Sequence, residues 1–361
     1  MPDQAAIRHA VEAVVEPRLR RTLGELGLIS RLNVGRGGSV HVDLAVPGGD
    51  WPVEAVAAAV ISAARTAGAT TATVEPGPMD LTRQEALVAR LTAGRPSRPG
   101  GAASRTRVIS IASGKGGVGK SSVTANTAVA LARAGRDVAV LDADVWGFSI
   151  PRMLGVSLPP GVMGGLIVPT SAHGVRVISM DFFVPPGEAV IWRGPMLHKA
   201  LEQFLDEVFW DEPEFLFLDL PPGTGDVPIS LSQFVPDAVT VVVTTPQPTA
   251  QRVARRAALM VAKMGQEVVG VVENMSWFTG DDGRRYEIFG AGGGQALADE
   301  LGVPLLGQVP LVAALREGAD RGEPAALAAP GSEVAAVFDT IAAGLTGTRP
   351  RVRRRPELTV Q

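Results

Sequence analysis

The residues with the clearest chemistry form a glycine-rich segment, GKGGVGKS, at positions 114–121. It matches the phosphate-binding pattern G-x-x-x-x-G-K-[ST] at every fixed position. The glycines allow a tight turn that aims backbone N–H groups at phosphate oxygens. Lys120 adds a positive charge, and the Ser121 hydroxyl can ligate Mg²⁺. The residues predicted to contact a nucleotide are Gly114, Lys115, Gly116, Gly117, Val118, Gly119, Lys120, Ser121 and Ser122.

Acidic residues follow two apolar runs downstream of this segment. VAVLDADVWGFS carries Asp142 and Asp144, and FLFLDLPPGTGD carries Asp219 and Asp226. In an open parallel sheet, ligands bind at the carboxyl ends of the strands, where these carboxylates would lie. Asp219 is predicted to hold Mg²⁺ through water. The Pro- and Gly-rich loop that reaches Asp226 can sense the γ-phosphate and switch, although a lone Asp after a strand is also typical of a cap or turn.

Short apolar runs alternate with helical segments along the part of the chain that must position these residues. Continuous β-branched runs are typical of parallel strands that are buried on both faces. The alternation predicts an α/β fold with a doubly wound, mostly parallel sheet. The predicted strands are Val108–Ala112, Val138–Leu141, Phe215–Leu218, Val239–Thr244, Val268–Val272 and Leu305–Val309, and the helices between them include Val123–Ala134 and Thr249–Met264.

Changes in composition divide the chain into four parts. Residues 1–93 predict a small α+β domain, because helical spacing alternates with the strand pattern of Val40–Val46. Residues 94–106 read GRPSRPGGAASRT, which favours a flexible linker over a long ordered loop. The α/β domain follows at 107–345. The arginine-rich tail at 346–361 is expected to be a solvated end, with contact to anionic lipid or nucleic acid as the alternative.

The composition excludes several classes of protein. With 34 Lys+Arg against 37 Asp+Glu among 361 residues, the net charge of −3 argues against a generally basic nucleic-acid binder. The chain has no cysteine, so its own side chains form no disulfide and no thiolate metal site. No apolar run approaches the roughly 18 residues of a membrane span, and the first residues lack a signal-peptide pattern. We expect a cytoplasmic protein that makes no contact with membranes.

Further strings give the sequence a family resemblance. They are SGKGGVGKS, LDADVWGFSIPRMLG, VIWRGPMLHKAL, LDLPPGTGDV, TTPQPTA, VVENMS, FGAGGG and LLGQVPL. Together they resemble the Mrp/ApbC family of iron–sulfur cluster carrier ATPases, which belongs to the ParA/MinD class of P-loop proteins. The resemblance covers essentially all of 107–345. The N-terminal part also resembles the iron–sulfur assembly domain that is often fused to this family.

The resemblance implies slow ATP hydrolysis by a homodimer. In this class, the extra lysine of the loop, here Lys115, reaches the nucleotide site of the partner subunit; the alternative is a solvated loop lysine. Asp144 would orient the attacking water, with Asp142 supporting the site and Asp226 acting as part of the switch loop. Asn274 would contact adenine, with a capping role as its alternative. No Asn-Lys-x-Asp guanine signal is present, so ATP is the favoured nucleotide.

The resemblance also implies an iron–sulfur cluster and a client that is an apoprotein or an assembly factor. Many members hold the cluster with a Cys-x-x-Cys pair shortly after the Asn-Met-Ser string, but here Thr279–Arg285 occupies that place. Asp281 and Asp282 there favour an exposed turn over a site for a hard cation. Either a partner's thiols hold the cluster, or the chain is an ATP-gated interaction switch that has lost its cargo. A ParA/MinD-like positioning ATPase is the third hypothesis, and we expect no specific nucleic-acid partner.

Overall fold

The computed structural model describes residues 3–35, 37–48, 50–96, 98–184, 194–328 and 331–348. These residues form two compact units. The first unit runs to Arg95 and also includes Val156–Ser171 and Asp206–Asp211. The remaining described residues form the second unit, which contains the glycine-rich loop.

Up to residue 95 the chain alternates helices and short strands. In chain order these elements are α1 (Gln4–Glu12), β1 (Val15–Glu16), β2 (Arg21–Thr22), α2 (Leu23–Leu26), β3 (Ile29–Val34), β4 (Ser39–Val46), α3 (Val53–Thr66), β5 (Thr71–Pro78) and α4 (Leu81–Thr92). Strands β3, β4 and β5 form one sheet, in which β4 pairs antiparallel with β3 and parallel with β5. The predicted helices and strands of this part are present, together with β1, β2, α2, β3 and α4, for which the sequence analysis assigned no residues.

The remaining elements belong mainly to the α/β part of the chain. They are β6 (Arg107–Ser113), α5 (Lys120–Arg133), β7 (Val138–Asp142), α6 (Ile150–Met153), β8 (Gly161–Met163), β9 (Leu166–Val168), β10 (Thr170–Ala172), β11 (Val175–Ser179), a 3₁₀ turn (Met180–Phe183), α7 (Gly194–Asp206), β12 (Phe215–Asp219), α8 (Asp226–Phe234), β13 (Val239–Thr244), α9 (Pro248–Lys263), β14 (Glu267–Asn274), β15 (Phe278–Thr279), β16 (Arg285–Tyr286), α10 (Gly293–Leu301), β17 (Leu305–Val309), α11 (Ala313–Arg321), α12 (Ala325–Ala328) and α13 (Glu333–Thr346).

An eight-stranded sheet in the order β10-β11-β7-β12-β6-β13-β14-β17 organises the second unit. All of its described pairings from β11 to β17 are parallel. Every residue of β7, β12 and β13 is buried, as expected for apolar strands covered on both faces. The α/β prediction is therefore confirmed, including each of the strands predicted from its apolar run.

The strand register places the acidic residues together. Strand β12 lies between β7 and β6, and its last residue, Asp219, is the register partner of Asp142 on β7 and of Ile111 on β6. The glycine-rich loop leaves the end of β6 and enters helix α5. Parallel pairing therefore brings the loop and both carboxylate-bearing strands to one edge of the sheet.

The core of the first unit includes residues that are distant in sequence. Met163 on β8, Val168 on β9 and Phe209 are buried in the same hydrophobic cluster as Leu87 and Leu91 of α4. The structure differs here from the boundary predicted at residue 93, because two segments within 107–345 bury their apolar side chains in the first unit.

The described residues of the segment predicted as a linker, 94–96 and 98–106, form turns and bends but neither helix nor strand. From Pro96 onwards it belongs to the second unit, within which the Arg98 guanidinium lies over the Phe234 ring at 5.0 Å from its centroid. The flexibility of 94–106 stays a prediction. The arginines of the tail beyond residue 348 lie outside the described residues.

Among the helices that the structure describes, none has both the length and the hydropathy that crossing a bilayer requires.

Candidate nucleotide site

The glycine-rich loop packs tightly against its neighbours. A Cβ atom on Gly114 would overlap the backbone of Val253 and Ala254 in helix α9, so only glycine fits there without movement of the backbone. Gly119 has a φ of 82°, in the left-handed region, and directly precedes the first residue of α5. The loop thus delivers the chain to a helix N-terminus, where free backbone N–H groups and the helix dipole favour an anion.

The buried carboxylate of Asp219 is the partner of three side chains from α5. Its Oδ2 accepts hydrogen bonds from Lys120 Nζ at 2.7 Å and from Ser121 Oγ at 2.6 Å. Its Oδ1 accepts a hydrogen bond from Thr124 Oγ1 at 2.6 Å. The structure therefore brings together the predicted lysine, serine and aspartate of the phosphate and metal site.

Thr124 is a residue of this site that sequence reasoning missed. Its hydroxyl is completely buried, and the hydroxyl oxygen also lies 3.0 Å from the backbone carbonyl oxygen of Lys120. The signal in the sequence is its spacing: three residues after Ser121 and four after Lys120 on one helix, which places all three on one face. Thr124 orients the Asp219 carboxylate, while Lys120 and Ser121 share its other oxygen.

Asp142 supports the loop that carries Asp144. Its carboxylate accepts hydrogen bonds from the backbone N–H groups of Asp144, Ser149 and Ile150 at 3.1–3.2 Å. The Ser179 hydroxyl also donates to it, at 3.1 Å. Burial raises the pKa of Asp142 to about 7, and the nearby Asp219 charge acts in the same direction. Asp142 thus holds the backbone after β7 in place from a completely buried position.

Asp144 lies within reach of the loop lysine. Its Oδ2 is 3.7 Å from Lys120 Nζ, and its Oδ1 accepts a hydrogen bond from the Gly147 N–H at 3.1 Å. Burial raises the pKa of Asp144, and the charge of Lys120 opposes that shift. Asp144 therefore faces the cavity beside Lys120, and its role in orienting a water molecule stays a prediction.

A cavity of about 560 Å³ lies over the loop, within the range that small-molecule ligands occupy. Its lining includes Lys115, Asp144, Asp226 and the loop residues 116–122. Asp226 is exposed at the first position of α8. Trp146, which the sequence did not single out, lines the cavity with 71% of its surface exposed. Among the described residues, Gly114, Asp219 and Asn274 do not line this cavity.

Lys115 and Asn274 both have partners within the chain. Lys115 is half-buried, and its Nζ donates to Gln247 Oε1 at 3.2 Å. The Asn274 amide is buried at the end of β14 and donates to the Val118 carbonyl at 2.8 Å. Asn274 therefore braces the phosphate loop, and its contact with adenine stays a prediction. The reach of Lys115 into a partner subunit also stays a prediction.

The donor set fits a magnesium ion. Ser121 Oγ and Asp219 Oδ2 are both oxygen atoms, they lie 2.6 Å apart, and the hydroxyl oxygen belongs to a residue that lines the cavity. Mg²⁺ prefers such oxygen donors, retains several waters, and takes its remaining ligands from a nucleotide's phosphates. Ser121 would bind the ion directly, and Asp219 would hold it through water.

The segment in which the family resemblance implies thiolates is a short hairpin. Strands β15 and β16 pair antiparallel, and the Gly283 N–H donates to the Gly280 carbonyl at 2.9 Å across the turn. The Asp282 carboxylate accepts hydrogen bonds from the Arg284 N–H and the Tyr286 hydroxyl. The turn predicted for this segment is confirmed, and its carboxylate is used within the hairpin.

The parallel sheet, the glycine-rich loop and the carboxylates at the strand ends define a P-loop NTPase with the ParA/MinD fold. A nucleotide-binding protein from Archaeoglobus fulgidus, solved with ADP, is similar at 33% identity and a TM-score of 0.53, covering 61% of this chain and 88% of that one. The cell division ATPase MinD from Pyrococcus furiosus is 25% identical with a TM-score of 0.51, covering 66% and 98%.

The chain belongs to the NUBPL iron-transfer P-loop NTPase family, whose sequence model matches residues 104–346. A second model, described as an iron–sulfur cluster assembly protein, matches residues 4–75. The iron–sulfur cluster carrier protein of Mycobacterium tuberculosis is 44% identical over 356 residues, covering 96% of this chain and 93% of that protein. The protein of the same name in Deinococcus radiodurans is 41% identical over 360 residues, covering 99% and 98%. Both predicted resemblances are confirmed.

The Thr124 contact predicts a role in metal-dependent nucleotide binding. Replacing Thr124 with valine keeps its shape but removes the hydrogen bond that orients Asp219. We expect the Mg²⁺ concentration needed for half-maximal ATP binding to rise about tenfold or more, as for other groups that position a metal-holding residue. Calorimetric ATP titrations across a range of Mg²⁺ concentrations measure this change.

The matched control is Thr127→Val on the same helix. The Thr127 hydroxyl is also buried but has no hydrogen-bond partner among the described residues, so its removal should leave the Mg²⁺ requirement unchanged. An equal effect of the two substitutions would show that helix packing, and not the contact with Asp219, controls the result.

Proposed function

We propose that this chain binds ATP with Mg²⁺, hydrolyses it, and uses the cycle to assemble or transfer iron–sulfur clusters. The observation that carries the proposal is the convergence of Ser121, Asp144 and Asp219 around Lys120 beside a nucleotide-sized cavity. Membership of the iron-transfer family and the names of the relatives support the assignment to cluster metabolism.

Lys120, the loop N–H groups and Asp144 would each have a different role in hydrolysis. Lys120 would leave Asp219 and place its charge on the phosphates, and the loop N–H groups would hold the remaining phosphate oxygens. Asp144 would orient a water molecule for attack on the γ-phosphate. Mg²⁺, when bound, supplies charge neutralisation on the phosphate oxygens.

Asp226 would couple a change in the bound nucleotide to a movement of helix α8. It lies at the start of α8, after the loop that follows Asp219, and it lines the same cavity. A change at the γ-phosphate would therefore move the first turn of α8, in the manner of other nucleotide-dependent switches. In our proposal the active form is a homodimer, in which Lys115 leaves Gln247 and stabilises charge in the partner's site.

In this proposal, the ligands of the iron–sulfur cluster come from outside the chain. Iron–sulfur clusters are held chiefly by thiolates, and the sequence contains no cysteine. We therefore propose that thiols of a client apoprotein or an assembly factor hold the cluster while this chain supplies the ATP-driven switch. The missing cysteines also favour a second candidate, in which the chain regulates a protein partner through ATP without any cluster.

Substitution of Asp144 tests the hydrolytic assignment. Asp144→Asn keeps the size of the side chain but weakens its ability to accept hydrogen bonds from water. We expect the turnover number to fall roughly a hundredfold or more, with ATP affinity changed little. Phosphate release and ATP titration measure the two quantities separately.

Asp339→Asn is the control for this substitution. Asp339 pairs with Arg133 away from the cavity lining, so turnover should stay at the wild-type level. Unchanged hydrolysis in Asp144→Asn would contradict the assignment of the water-orienting carboxylate.

Anaerobic reconstitution tests the proposed source of the cluster ligands. The full chain is incubated with Fe²⁺ and sulfide, with and without glutathione as an external thiol, and acid-labile sulfide per chain is measured. We expect bound sulfide only when the thiol is present, and we expect ATP to change its amount. Lys120→Ala, which removes the charge aimed at the phosphates, should abolish the effect of ATP.

The reconstitution distinguishes external thiol ligation of a cluster from a switch that carries no cluster. Stoichiometric sulfide without the thiol would contradict external ligation. Absence of sulfide in both arms, together with ATP turnover, would overturn the carrier proposal and favour the cargo-free switch.

A further inference from the structure

The exposed face of the small N-terminal sheet carries a cluster of polar side chains. On β4, Val40, Val42 and Leu44 are buried in the core of the first unit, so His41 and Asp43 lie on the opposite face. In the β4–β5 register, Asp43 is the partner of Glu75. Alternation along one strand and pairing with the next thus place an imidazole and two carboxylates on one surface.

The distances within this cluster are short. His41 Nε2 is 2.9 Å from Asp43 Oδ1 and 3.7 Å from Glu75 Oε2. One potential ligand atom from each residue lies within 4.8 Å of the other two. Ligands about 2.0 Å from a tetrahedral zinc ion are separated by about 3.3 Å, so the two measured distances bracket the required spacing.

Thr73 determines which nitrogen of His41 faces the carboxylates. The Thr73 hydroxyl donates its proton to the Val40 carbonyl, at 3.3 Å. The Thr73 oxygen also lies 2.9 Å from His41 Nδ1, so Nδ1 has a fixed polar partner and Nε2 faces the carboxylates. In the tautomer that carries its proton on Nδ1, Nε2 presents a lone pair to the two carboxylates. A metal-binding histidine characteristically has this arrangement, in which the second nitrogen donates to a fixed acceptor.

Two carboxylates and a lone pair at this separation need a positive charge between them. A proton on Nε2 would give an ion-pair cluster, and a metal ion would give a coordination site. The side chains are 43%, 35% and 76% exposed for His41, Asp43 and Glu75, so an ion can reach them from solvent. An adjoining cavity of about 350 Å³, lined by Asp43, Glu75 and Ser30, leaves room for a fourth ligand.

We propose that His41, Asp43 and Glu75 bind one divalent transition-metal ion of the zinc or ferrous type. One imidazole nitrogen and two carboxylate oxygens suit such borderline ions, and the open position would take water or a ligand from another molecule. Within the described parts of the chain, this is the single group of three or more such side chains with ligand-compatible spacing. The proposal is independent of the nucleotide site, because its residues belong to the other compact unit.

Zinc titration of the full chain tests this site. Zn²⁺ is added against a chromophoric chelator, without nucleotide and with Mg²⁺ in excess to occupy oxygen-only sites. We expect one equivalent of Zn²⁺ to bind, and we expect His41→Gln and Glu75→Gln each to weaken binding about tenfold or more. His9→Gln is the matched control, since His9 is an exposed histidine on α1 of the same unit and should leave the affinity unchanged.

The ¹⁵N resonances of the imidazole provide a second readout that separates the metal site from an ion-pair cluster. Zn²⁺ should shift His41 Nε2 while Nδ1 stays protonated. Failure to bind one equivalent, or binding that neither substitution weakens, would overturn the proposal. A proton on Nε2 that persists with saturating Zn²⁺ would also overturn it, because it would identify the cluster as an ion pair.

Discussion

The nucleotide site depends on one buried carboxylate that has three donors. Asp219 holds Lys120, Ser121 and Thr124 at 2.6–2.7 Å, and all three come from the first turns of α5. Removing one member of a buried ion pair costs about 3–5 kcal/mol, because the partner's charge stays buried without compensation. The same contacts that orient the helix against the sheet therefore also hold Lys120, and in our proposal the nucleotide's phosphates must compete with Asp219 for it.

The absence of cysteine affects iron–sulfur cluster binding but not the nucleotide site. Every group assigned to phosphate and magnesium is an oxygen, a backbone N–H or a lysine, so the nucleotide site is complete without sulfur. The hairpin where the family resemblance implies thiolates instead uses Asp282 for its own turn. We therefore propose that cluster thiolates come from another molecule, and that a single metal ion uses the imidazole and carboxylates of the first unit.

Motifs with fixed spacing were predictable from the sequence, and contacts between distant segments were not. The glycine-rich loop and the apolar strands followed from local pattern alone. Strand β11 was missed because Arg176 interrupts its apolar run; this arginine is buried and pairs with Asp137. The contact between Asn274 and Val118 depends on how β14 lies beside the loop, which no local pattern reveals. Likewise, Glu75 meets His41 only through the β4–β5 register.

The central claim is that Asp219 holds Lys120 in the free protein and Mg²⁺ in the nucleotide complex. Its most direct test is the ATP affinity of wild type and Asp219→Asn, each measured by calorimetry with and without Mg²⁺. Asp219→Asn should lose the increase in affinity that Mg²⁺ gives to the wild type. Without Mg²⁺ it should bind ATP at least as tightly as the wild type, because Lys120 is released towards the phosphates. A variant that retains the Mg²⁺ effect, or that loses Mg²⁺-free binding while still folded, would contradict the account.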